Sequence, residues 1–233
     1  MMNKTICIIP ARGKSKRIPN KNIKKFLNKP LISHVIDEAK KSNCFSNIFV
    51  TTDSSKIKKI AEKNGAKVPF IRSKKLSSDN TSTQDVVCDC IARLIKLDFK
   101  FENVCVLYPT SIFIDFKLIK KSLKRFKDKK VEFLMAVKKF DHPIERSFKI
   151  NKNKPIVIEK KIFYKKTQDF SQSFYDAGQI YIGKKNGFLK KKNQFNSSVE
   201  CVVLNYFDSI DIDNKDDFIN AKKLFLLRKK HAL

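Results

Sequence analysis

The chain has 233 residues, of which 42% are hydrophobic and 32% charged, and its formal net charge is +28. That length suits one large α/β domain, and the hydrophobic share, with 20 phenylalanines, supplies a packed core and excludes a disordered chain. The positive excess is almost all lysine and is spread along the chain, which argues against a nucleic-acid reader with arginines gathered on one face.

Taken in order, a buried strand is expected over residues 5–9, then an amphipathic helix over 31–41 and a second strand over 47–51. A helix over 55–64, a strand over 68–71 and a helix over 84–97 follow. Next come a strand at 103–107, a helix at 116–126 and a strand at 132–137. Residues 141–179 break this rhythm, being polar, aromatic and irregular, and read as an inserted lobe or dimerisation arm within a single domain of residues 1–233. Strands at 179–182 and 201–204 resume the pattern, and a last helix over 216–228 is capped by Asn214. Near-continuous apolar strands alternating with helices predict a three-layer, Rossmann-like α/β fold around a mainly parallel sheet.

Six cysteines lie mostly inside apolar runs, with no CxxC pair and only three histidines, so neither a zinc site nor a disulfide framework is expected. The first apolar run is too short for a signal peptide, and no stretch nears the roughly 20 apolar residues of a membrane span. A cytoplasmic protein with no membrane partner is the expectation.

In such a sheet, ligands bind beyond the carboxyl ends of the strands. The loop after the first strand reads Pro10-Ala11-Arg12-Gly13-Lys14-Ser15-Lys16-Arg17-Ile18-Pro19-Asn20-Lys21-Asn22. Ile8 stands where a P-loop needs its first glycine, and five glycines in the chain form no GxGxxG. Phosphate would therefore be held by Arg12, Lys16 and Lys21, with backbone amides near Gly13 and Ser15. A triphosphate, with about four negative charges, matches such a loop. Near the other end, Asp211 and Asp213 are two apart, so on extended chain both carboxylates share a face, a spacing suited to Mg²⁺.

The opening loop resembles the acylneuraminate cytidylyltransferase family, whose motif it matches apart from Lys14, where the family has a second glycine. Further matches follow in order: Lys29-Pro30-Leu31-Ile32, Val50-Thr51-Thr52-Asp53, Pro69-Phe70-Ile71-Arg72 with Leu76 and Asp79, Tyr108-Pro109-Thr110-Ser111, and Ile210-Asp211-Ile212-Asp213. Tyr108, His142-Pro143-Ile144-Glu145-Arg146, Thr167-Gln168-Asp169 and Tyr175-Asp176-Ala177-Gly178-Gln179-Ile180-Tyr181 look most like the pseudaminic acid branch.

The resemblance implies a nucleotidyltransferase fold and transfer of CMP from CTP to an acidic nine-carbon sugar, with Mg²⁺ on Asp211 and Asp213 and a homodimer. It implies nucleotide contacts at Ala11, Arg12, Gly13, Ser15, Asn22, Arg72 and Thr83, and catalytic roles for Arg12, Lys16, Lys21 and Asp211. Tyr108, Arg146, Gln168, Gln179 and Tyr181 are the expected sugar pocket. Three rival readings stand beside it: synthesis of CMP-N-acetylneuraminate or CMP-legionaminate, a glycosyltransferase using Asp211-Ile212-Asp213 as a DxD motif, and, remotely, a nucleic-acid-binding module.

Overall fold

The computed structural model describes residues 4–129, 131–190, 198–208 and 210–231. Alternation of side chains builds its centre. In β1 (Thr5–Pro10), Cys7 and Ile9 face one apolar cluster while Ile6 and Ile8 face another, and all four are fully buried. Each such aliphatic side chain contributes roughly 1.5–3 kcal/mol by leaving water.

The chain continues through the two-residue strands β2 (Lys25–Phe26) and β3 (Lys29–Pro30), α1 (Leu31–Lys41), β4 (Ile48–Thr51), α2 (Ser55–Lys63) and α3 (Thr83–Lys96). Then follow β5 (Asn103–Leu107), α4 (Phe116–Asp128) and β6 (Phe133–Lys139), and next the hairpin of β7 (Phe148–Asn151) and β8 (Lys154–Val157). The remaining elements are α5 (Lys160–Phe163), β9 (Phe174–Lys184), α6 (Lys185–Leu189), β10 (Val199–Val203) and α7 (Lys215–His231).

Six strands form one sheet in the order β10-β6-β9-β5-β1-β4. Parallel pairs join β1 to β4 and β5, and β6 to β10, whereas β9 runs antiparallel to both β5 and β6. The sheet is therefore mainly parallel with one reversed strand inside it. Helices α1, α4 and α7 pack on the face of Cys7 and Ile9, and α3 and α6 on the face of Ile6 and Ile8. The expected three layers are present.

Two expectations need correction. Residues 68–71 are not a strand, because the chain there touches β4 only through isolated bridges, Phe49 with Lys67 and Thr52 with Ile71. Pro69 has no N–H to give a ladder, and the segment lies outside the edge strand. The strand expected at 179–182 begins at Phe174 and is reversed, so residues 174–179 belong to the sheet. Between Met135 and Val137 the pairing jumps from Tyr181 to Asp176, a bulge on β9 around Gly178, whose φ of 61° is a glycine conformation.

What leaves the sheet between Lys139 and Phe174 is an exposed lobe. Its hairpin turns at Lys152 and Asn153, both at positive φ, and the sequence signal for this turn was the asparagine-rich Asn151-Lys152-Asn153.

Candidate active site

The loop after β1 is fastened at both ends. Ala11 N–H donates to Thr51 O at 3.0 Å, and Ile18 is fully buried. Between them Gly13 N–H donates to Asp53 Oδ1 at 2.7 Å. A Cβ on Gly13 would stand 2.9 Å from Ser54 Cβ, so this approach to the start of α2 requires glycine. Lys14 is not among the residues at positive φ, and so needs no glycine. Asn20 takes the left-handed turn instead, at φ 54°. Asn22 is buried and donates to Arg12 O at 2.9 Å, which stiffens the loop from within.

The loop's cations divide into two groups. Arg12 Nη1 and Lys16 Nζ each lie 2.6 Å from a different oxygen of Asp79, and these two contacts hold the Asp79 carboxyl below its ordinary range, Lys16 more than Arg12. Lys21 Nζ donates to Ile212 O at 2.6 Å and lies 3.5 Å from Asp213 Oδ1, while Arg17 Nη1 donates to Asp213 Oδ2 at 2.7 Å. The first loop thus grips the loop of residues 73–81 with one hand and the late acidic segment with the other.

The carboxylates of Asp211 and Asp213 are not spent on capping α7, which other residues do. Asp217 N–H donates to Asn214 Oδ1 at 2.9 Å, as expected, and Asp217 Oδ2 accepts from the N–H groups of Asp213 and Asn214. Ile212 points inward, fully buried, and Asp211 and Asp213 both line a cavity of about 350 Å³. Asp211 keeps an exposed surface in the cavity, yet partial desolvation first, then the charge of Asp213, pushes its carboxyl up. Two crowded carboxylates with oxygen donors only are a fitting pair for a hard divalent cation. Among the described residues, no cluster of three or more such ligands occurs.

Arg72 is 4% exposed and lines both that cavity and an adjoining one of about 790 Å³. Its Nε donates to Ser77 Oγ at 3.0 Å, and its N–H donates to Thr52 O. Burial lowers its pKa, and Asp53 works against that shift. It makes no ion pair with the described residues, and a buried guanidinium beside open space suits an anion. Thr83 opens α3, but Ser82 is the cap, accepting from Asp85 N–H at 3.1 Å, so the threonine hydroxyl is left to the cavity wall.

Thr83 and Tyr108 also line a third, smaller cavity of about 180 Å³, together with Asp176 and Tyr181. The Tyr108 and Tyr181 rings lie 5.6 Å apart, and Tyr181 Oη donates to Asp176 at 2.7 Å. Burial, then Tyr108 and Asp176, pushes the Tyr181 phenol far above its ordinary range, so it acts as a donor.

Most of the expected site residues thus come together. Arg12, Lys21, Asn22, Arg72, Thr83, Tyr108, Asp211 and Asp213 share one cavity, and Gly13, Ser15 and Lys16 line its neighbour. Four do not join them. Ala11 is fully buried and serves as the loop's anchor. Gln179, 1% exposed, sits in the β9 bulge behind the cavity, with Nε2 3.4 Å from Ile210 O. Its own carbonyl accepts from Tyr108 N–H and Ser111 Oγ. Arg146, bonded to Lys165 O at 2.7 Å, and the exposed Gln168 lie on the lobe and line none of these cavities, because the lobe projects from the sheet. Sequence reasoning gave no role to Arg17, Asp79 or Asp176. Their partners lie 196, 67 and 5 residues away, and only the last could have been suspected from spacing.

The family model described as cytidylyltransferase matches residues 6–224. The chain is 36% identical over 230 residues to the pseudaminic acid cytidylyltransferase of Campylobacter jejuni, covering 98% of this chain and 99% of that protein. It is 30% identical over 230 residues to the CMP-N,N'-diacetyllegionaminic acid synthase of Legionella pneumophila, covering 97% of each. Among solved structures, a CMP:2-keto-3-deoxy-manno-octonic acid synthetase complexed with CTP superposes with a TM-score of 0.72 at 16% identity. That match covers 97% of this chain and 99% of the other and bears on the fold.

Proposed function

The chain belongs to the cytidylyltransferase family, and from that membership we propose that it transfers CMP from CTP to the anomeric hydroxyl of pseudaminic acid, releasing pyrophosphate. One observation carries the reading: the basic loop after β1 and the acidic pair Asp211 and Asp213 converge on a single cavity. In the reaction the sugar oxygen attacks the α-phosphorus of CTP and the bond to the β-phosphate breaks. Arg12, Lys16 and Lys21 hold the triphosphate and then the pyrophosphate. Asp79, seated between Arg12 and Lys16, marks a place where those two cations already accept an anion. Arg72 adds buried positive charge, and Asn22 and Thr83 add polar groups to the nucleotide wall.

Asp211 and Asp213 are the residues that would hold Mg²⁺. Bound there, it would supply neutralisation of phosphoryl charge and acidify the attacking hydroxyl. For the sugar, Tyr108 and Tyr181 at the small cavity offer an aromatic wall, and Asp176 orients the Tyr181 hydroxyl.

Arg146 and Gln168, set on the lobe, act in a homodimer by reaching the partner's sugar. Exposed apolar side chains on and beside the lobe hairpin support this, with Ile150 at 71% and Ile158 at 64%. Six free cysteines, with Cys7 and Cys105 opposite each other in neighbouring strands, fit a reducing cytoplasm.

The test is to incubate the protein with CTP, Mg²⁺ and a panel of pseudaminic, legionaminic and N-acetylneuraminic acids and to follow pyrophosphate. Pseudaminic acid is expected to give the highest kcat/KM, and Asp211→Asn is expected to abolish turnover while the protein stays folded. A preference for another acid reassigns the sugar, and no pyrophosphate with any of them refutes the reading.

A further inference from the structure

Resting on the reading of Asp211 and Asp213 as the metal-holding pair, we propose that Arg17 is a phosphate-binding residue parked on that pair. It occupies Asp213 while no divalent cation is bound and passes to the triphosphate when one arrives.

Both oxygens of Asp213 face cations of the first loop: Oδ2 accepts from Arg17 at 2.7 Å, and Oδ1 lies 3.5 Å from Lys21. The two cations are held very differently. The Lys21 side chain is 17% exposed and its ammonium is fixed on the Ile212 carbonyl at 2.6 Å. The Arg17 side chain is 66% exposed, and Asp213 is its only hydrogen-bond partner among the described residues. Ile18, fully buried next to it, anchors the backbone, so the guanidinium can swing on its own torsions while the loop keeps its shape.

A divalent cation bound by the acidic pair needs oxygen lone pairs that Arg17 now uses, and two positive groups on one oxygen repel. The freely exposed one leaves. Its release costs little, since such an exposed pair is worth a small factor in affinity. Arg17 already lines the cavity that holds Arg12, Lys21 and Arg72, so a triphosphate lies within the same enclosure. A guanidinium meets phosphate through two parallel donors, which a lysine cannot do. Arg12 and Lys16 are turned toward Asp79, which leaves Arg17 as the mobile cation assigned to the acidic side. The exchange makes metal and nucleotide binding mutually supportive: each removes what obstructs the other.

The experiment uses the full chain and titrates Mn²⁺ by calorimetry without nucleotide, then CTP in saturating Mn²⁺. Arg17→Ala is expected to bind Mn²⁺ about two- to fivefold more tightly than the parent and to bind CTP about tenfold more weakly. Arg17→Gln, which keeps most of the side chain's length, should behave alike, and Arg17→Lys should recover part of the CTP affinity. Unchanged or weaker Mn²⁺ binding by both uncharged variants overturns the parked state, and unchanged CTP affinity overturns the phosphate role. Asp211→Asn separates this from the underlying reading. If that variant loses Mn²⁺ binding and the Arg17 variants leave it unaltered, only the proposal for Arg17 fails; if it binds Mn²⁺ normally, the metal site itself is misassigned and both fall.

Discussion

Replacing Gln179 with methionine should make the protein no less stable yet slower. The side chain is 1% exposed, and its Oε1, fully enclosed, meets no donor among the described residues. A buried carbonyl without a donor costs about 1–3 kcal/mol. Against this stands a single neutral hydrogen bond to Ile210 O, and at 3.4 Å it returns about 0.5–1 kcal/mol. Ile210 is only partly buried, so its carbonyl can turn to water once the amide is gone. Methionine nearly conserves the volume and bends to fit. The balance is between zero and about 2.5 kcal/mol in favour of Gln179→Met, read as a higher urea midpoint at unchanged m.

Activity should move the other way. The amide of Gln179 steadies Ile210, one residue before Asp211, while its backbone carbonyl holds Tyr108 and Ser111. Loss of the amide therefore loosens the acidic segment and lowers kcat, with the KM for the sugar little altered. A loss of stability above about 1 kcal/mol would refute the reasoning, because it would mean the enclosed oxygen has a strong partner. A raised sugar KM at constant kcat would instead make Gln179 a sugar contact.

Two further outcomes follow from buried titratable groups. His34 is 6% exposed with Nε2 2.9 Å from Phe26 O, and burial lowers its pKa below 6.5. Folding therefore favours the neutral ring. Its contribution is complete above pH 6.5 and is lost as pH falls through the lower folded value, so urea midpoints should drop between pH 7 and pH 5 by less in His34→Gln than in the parent. Burial also raises the thiols of Cys7 and Cys105 strongly and that of Cys90 to about 12, whereas Cys201, although partial desolvation and Glu200 raise it too, is exposed to reagent. An aromatic disulfide reagent at pH 8 should label Cys201 first and those three only after unfolding, as peptide mapping would show.

What the sequence made legible follows from the range of the signals. Helix α1 and strand β5 fall on their expected bounds because apolar periodicity is local. The basic loop and the acidic pair were visible for the same reason: each is a short stretch whose side chains share one chemical task. Pairing was not visible. Nothing local in Phe174-Tyr175-Asp176 says that it runs backwards against β6, and a strand that bulges around Gly178 lacks clean alternation. The opposing charges of Arg12 and Asp79 meet only after folding has closed 67 residues of chain.

Lys139 and Phe174 face each other as the last rung of the β6–β9 ladder. Both ends of the lobe therefore spring from one point, held about 5 Å apart by the strands themselves. Such a mounting behaves as a socket: whatever is plugged in between can lengthen, shorten or change its surface without altering a single pairing elsewhere in the sheet. The lobe can drift in length and surface while the sheet that carries the basic loop and the acidic pair is kept unaltered.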